Sequence, residues 1–168
     1  MPARVPGWNA GRMIFALATH FPWWEHKLVT ELEIDGGRAD LVLVSKAGYA
    51  TEIEIKVSRG DWRNDRDKLK WMAHGWTRPH VSRFFYAVPE QLANQIPVWV
   101  PKDAGILVVR AGSGRDHVRE QRAARRFAAR KLSDAQLTQI ERAFYYRFWR
   151  QHMEVLGGRF VRPEARAA

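Results

Sequence analysis

Thr51-Glu52-Ile53-Glu54-Ile55-Lys56-Val57-Ser58 is the stretch that decides the fold. Side chains alternate faces along an extended chain. Ile53, Ile55 and Val57 therefore share an apolar face fit for a core, and Glu52, Glu54, Lys56 and Ser58 share the other. Working back, Lys46-Ala47-Gly48 reads as a turn and Asp40–Ser45 as a strand. Asp35-Gly36-Gly37 is a hairpin turn, because glycine supplies the positive φ such turns need. Lys27–Ile34, with Leu28, Leu32 and Ile34 among Thr30, Glu31 and Glu33, is another strand. The three strands form an antiparallel meander. Asp40 then starts an arm that pairs with Glu54-x-Lys56. A carboxylate on one arm facing Glu-x-Lys on the other is a means of holding a hard divalent cation beside an ammonium, since Mg²⁺ takes one or two carboxylates plus waters and phosphates. The lysine can then orient a water or neutralise charge on a phosphate.

Outside the meander, Asn9 caps a helix reaching about His20 and stopped by Pro22. Asp61 to about Trp76 reads as a helix, Arg83–Val88 as a strand ended by Pro89, and Gly105–Val109 as a strand. A helix between strands permits a crossover, so the later strands can lie parallel to the third. Two helices are expected at the end, His117–Lys131 and Ser133–Val155, the second marked by the capping-box spacing of Ser133 and Gln136. The order is that of an α/β domain with a mixed sheet. Residues 1–112 form the expected core, and residues 113–168 a basic helical extension packed on the same domain.

The chain has 168 residues, with 28 Lys and Arg against 18 Asp and Glu, a formal charge of +10 that favours a polyanionic partner, nucleic acid first. Eight tryptophans and 46% hydrophobic residues exclude a disordered basic tail. The absence of cysteine excludes disulfides, thiolate zinc sites and cysteine nucleophiles. The longest clean apolar run, Met13–Ala18, is too short for a membrane span or a secretory signal, so a cytoplasmic protein is expected. The histidines lack zinc spacing, and no GxSxG elbow or P-loop occurs. Arg115, Arg119, Arg122, Arg126 and Arg130 recur every three or four residues, which on a helix makes one stripe. Phosphate tracking by that stripe is as good a reading as a solvated face. Phe144, Tyr145, Phe148 and Met153 offer a packing face for the main body or for a second copy in a homodimer.

Arg38-Ala39-Asp40 followed by Glu54-Ile55-Lys56 resembles the PD-(D/E)xK nuclease superfamily, with its restriction-endonuclease-like fold. More narrowly, Glu54–Asp65 (EIKVSRGDWRND), Lys68 and Phe85–Glu90 (FYAVPE) are similar to MmcB-like DNA-repair proteins and their phage-borne relatives. The resemblance covers about Leu28 to Val109. It implies an αβββαβ core, Mg²⁺ or Mn²⁺ as cofactor, and hydrolysis of DNA phosphodiesters in DNA repair or phage DNA metabolism. A binding or nuclease-inhibiting accessory without catalysis is the alternative. By the family pattern Asp40 and Glu54 are metal ligands together with Ile55, and Lys56 is the catalytic lysine. Ala39 stands where the superfamily writes proline. The additional upstream glutamate is assigned to Glu31, with Glu25 and Glu33 as rivals that periodicity does not separate. Asp61 and Asp65 match acidic positions of the narrower family, as metal contacts or as caps of the following helix. Expected nucleic-acid contacts are Arg119, Arg122, Arg126, Arg130, Ser58 and Lys68.

Overall fold

A computed structural model describes residues 7–22, 24–65 and 78–157. Its elements in order are α1 (Ala10–His20), β1 (His26–Ile34), β2 (Gly37–Ser45), β3 (Ala50–Ile55), α2 (Arg59–Asp65), β4 (Val81–Pro89), a 3₁₀ helix (Glu90–Gln95), β5 (Gly105–Arg110), β6 (His117–Arg122) and α3 (Asp134–Val155). The strands form one six-stranded mixed sheet in the order β1-β2-β3-β4-β5-β6. The meander is antiparallel, β4 and β5 run parallel to β3, and β6 returns antiparallel.

The β1–β2 hairpin closes Ile34 onto Gly37, with Asp35 and Gly36 both at positive φ (51° and 76°). That is the two-residue turn whose twist matches the flanking strands. Alternation in β3 builds two cores. Ile53 and Ile55 face α1, packing with Met13, Leu17, Leu41, Phe85 and Leu107. On the opposite face Phe84, Tyr86, Val88 and Ile106 pack beneath Trp62 of α2 and Leu92 of the 3₁₀ helix. Glu52, Glu54 and Lys56 lie on that second face and are buried.

One expected element does not form. His117–Lys131 is not a helix: it is strand β6 followed by an extended strap over residues 123–131. The arginine spacing was helical, but the segment has few apolar side chains to make a helix face. As a strand it pairs Val109 with Val118, lays Val118 against the core, and covers the open edge of β5 with an arginine-rich strand that discourages further pairing. Gly112 makes the preceding turn, since a Cβ there would sit 2.0 Å from Arg115 O. The chain divides into two compact units, the first running through Lys131 and the second beginning at Leu132. Within the second, Ser133 and Gln136 form the expected capping box of α3. The crossover helix expected over Asp61–Trp76 is described through Asp65 only, and Lys68 lies outside the described residues.

Candidate functional site

Antiparallel pairing of Leu41 with Ile53 sets Asp40 across from Glu54. Parallel pairing sets Tyr86 of β4 beside Glu54 on its other flank. Lys56 N–H donates to Ala87 O at 3.0 Å, so the Ile55 amide, one residue back, faces β2. There Ile55 N–H donates to Asp40 Oδ2 at 2.8 Å. Asp40, Glu54 and Ile55 thus come together at the end of β3, where the sequence placed them.

Lys56 is 5% exposed and its ammonium is held twice, 3.3 Å from Glu54 Oε2 and 3.1 Å from Asp65 Oδ1. Asp65 in turn accepts a hydrogen bond from Tyr86 Oη at 2.8 Å. Burial, reinforced by the neighbouring Asp65 charge, pushes the Tyr86 phenol far above its ordinary value, so it serves as a neutral donor. Glu54, Asp65 and Lys56 are buried and Asp40 beside them is half-buried, so three carboxylates and one ammonium sit close together at this end of the sheet. Among the described residues no three His, Asp or Glu side chains already converge as a metal cage. The oxygen donors of Asp40 and Glu54 nevertheless suit Mg²⁺ or Mn²⁺, which take one or two carboxylates and keep several waters.

Glu31 is not drawn into this cluster. It takes a positive φ (51°) that interrupts β1, and its carboxylate pairs at the surface with Arg38 at 3.1 Å. Ser58 and Asp61 act as a cap. Asp61 N–H donates to Ser58 Oγ, and Asp61 Oδ2 accepts from the backbone N–H of Val57 and Ser58. That reciprocal pairing starts α2. Asp61→Ala is therefore expected to lower unfolding free energy by about 1 kcal/mol in a urea titration, while DNA affinity stays as in the wild type.

The arginines expected on one stripe are dispersed. Arg122 is committed to structure, its guanidinium donating to Ala104 O (2.7 Å) and Pro101 O (3.0 Å). Arg119 is exposed on β6, and Arg126 and Arg130 are exposed on the strap.

Sequence reasoning missed Arg78. It is buried, ion-paired with Glu52, and donates to Ile34 O at 2.5 Å. Nearby His80 Nδ1 lies 2.6 Å from Asp35 Oδ1, and His80 N–H donates to Asp35 Oδ2. The signal for an arginine partner was present in Glu52 itself: a carboxylate in the middle of a covered strand has to be neutralised.

A model of the MmcB-like family, described as DNA repair protein MmcB-like, matches residues 10–147. The chain belongs to the MmcB-like family. The match spans the whole sheet, from α1 through β6, and extends into α3. A DNA-related role follows from the family. A solved structure, the SPO1766 protein of unknown function from Silicibacter pomeroyi, is similar in fold, with a TM-score of 0.60 at 20% identity over 90% of this chain and 93% of that one. No curated protein matches. Among the described residues of this MmcB-like chain, no helix is long and apolar enough to cross a membrane.

Proposed function

We propose that this MmcB-like protein is a metal-dependent DNA nuclease of the PD-(D/E)xK kind, acting in DNA repair. The observation that carries the reading is the placement of Asp40 and Glu54 opposite each other on the paired strands β2 and β3, with Lys56 3.3 Å from Glu54. Asp40, Glu54 and the carbonyl of Ile55 would hold the cation. When bound, Mg²⁺ or Mn²⁺ supplies Lewis-acid polarisation of the scissile phosphate. The chain's own part is positioning: Lys56 places its ammonium where a water or a developing phosphate charge needs it, and Asp65 with Tyr86 fixes the lysine.

A second reading, DNA binding without cleavage, is favoured by one feature: Lys56 already serves two carboxylates. The deciding experiment sets the wild type beside Lys56→Ala with Mg²⁺ and Mn²⁺, on plasmid, single-stranded and branched DNA. Cleavage by the wild type alone supports the hydrolytic reading. DNA binding with no cleavage under any metal selects the accessory. Titration calorimetry adds a separate check. Mg²⁺ or Mn²⁺ is expected to bind the wild type, and Glu54→Gln to lose that binding, with no requirement for zinc. No divalent binding with or without DNA would count against the metal site.

A further inference from the structure

We infer that Tyr49, Arg126 and Lys131 form a second contact for the DNA backbone, set at the start of β3 and so at the opposite end of that strand from Glu54. The Arg126 guanidinium and the Lys131 ammonium each lie 5.6 Å from the centre of the Tyr49 ring. An aromatic face orders cations but neutralises none of their charge. Among the described residues no carboxylate forms an ion pair with either of them. Two ordered, unneutralised cations converging on one ring are complementary to a phosphodiester.

The cations are not on a loose tail. The strap that carries them is tied to the sheet by three backbone bonds: Arg125 N–H to Asp103 O (2.9 Å), Phe127 N–H to Ser82 O (2.8 Å) and Arg130 N–H to Pro79 O (2.6 Å). Each donates into the loop or strand start at the N-terminal ends of β5 and β4. A pre-ordered pair loses little conformational entropy on meeting a phosphate. Tyr49 stands five residues before Glu54, and an extended chain rises about 3.3 Å per residue, so the contact lies about 17 Å along β3 from Glu54.

This inference takes its partner, DNA, from the reading above, but its test is independent of cleavage. Duplex binding is measured in EDTA as log affinity against log salt. Arg126→Gln/Lys131→Gln is expected to flatten the slope by about 1.8, two contacts at about 0.9 each. Lys102→Gln/Arg110→Gln removes the same charge from other exposed positions and is the control. A wild type that never cleaves, with the slope change intact, removes the hydrolytic reading and supports this contact. A slope change no larger than the control's, or no salt-dependent binding by the wild type, overturns it. Melting temperatures matched to wild type ensure that the comparison is between folded proteins.

Discussion

Lys56→Ala is expected to lower cleavage of DNA in Mg²⁺ or Mn²⁺ by at least about 10²–10³-fold, the scale on which loss of one pre-ordered electrostatic group slows a reaction. Its ammonium lies 3.3 Å from Glu54 and 3.1 Å from Asp65, and burial keeps water from substituting for it. Affinity for DNA should stay within several-fold, because phosphate contacts elsewhere dominate binding. Removing Lys56 also takes one positive charge from beside Glu54 and Asp65, so divalent affinity in calorimetry is expected to hold or rise while turnover falls. That divergence separates a lysine acting on substrate from one that only completes the metal site. Cleavage at the wild-type rate by Lys56→Ala would reject the proposed site. Tyr86→Phe gives a graded counterpart. It removes the bond to Asp65 but leaves both carboxylates in place, so a smaller loss of rate is expected, with the metal titration unchanged.

The legible part of this site was the part written in strand alternation. Ile53 and Ile55 against Glu54 and Lys56 announce a covered strand with a polar face, and the Lys46-Ala47-Gly48 turn fixes the register that brings Asp40 opposite Glu54. Asp65 was visible only as an acidic position. Its contact with Lys56 depends on how α2 leaves β3, which no periodicity encodes. Tyr86 reaches Glu54 through parallel pairing across a crossover, again a long-range relation. The error over His117–Lys131 has a different origin. Arginines at spacings of three and four fit a helix, but a spacing of polar residues carries no burial energy, whereas pairing along β5 satisfies a row of backbone groups. Glu31 is turned toward Arg38 for a local reason: it takes a positive φ at the position where alternation would have set it across from Asp40.

Arg78 and Glu52 should show the largest effect on stability. Both side chains are buried, at 7% and 2% exposure, and they form an ion pair. Removing one partner takes a close opposite charge from the other in the sheet's covered face, so Glu52→Leu or Arg78→Met is expected to cost about 3–5 kcal/mol in denaturant unfolding. The double variant Glu52→Leu/Arg78→Met removes both charges at once. It should return to within about 1–2 kcal/mol of wild type, the shortfall being the lost Arg78 bond to Ile34 O and imperfect packing. A large coupling in the double-mutant cycle is thus expected. Single losses that simply add in the double variant would show that the two residues act separately. The pair also bears on function, because Glu52 lies two residues from Glu54 on the same face. With Arg78 in place the Glu52 carboxylate is ion-paired. Loss of the Arg78 charge makes that face more negative, so Arg78→Met should alter divalent affinity even at temperatures where the variant is fully folded, whereas the double variant should not.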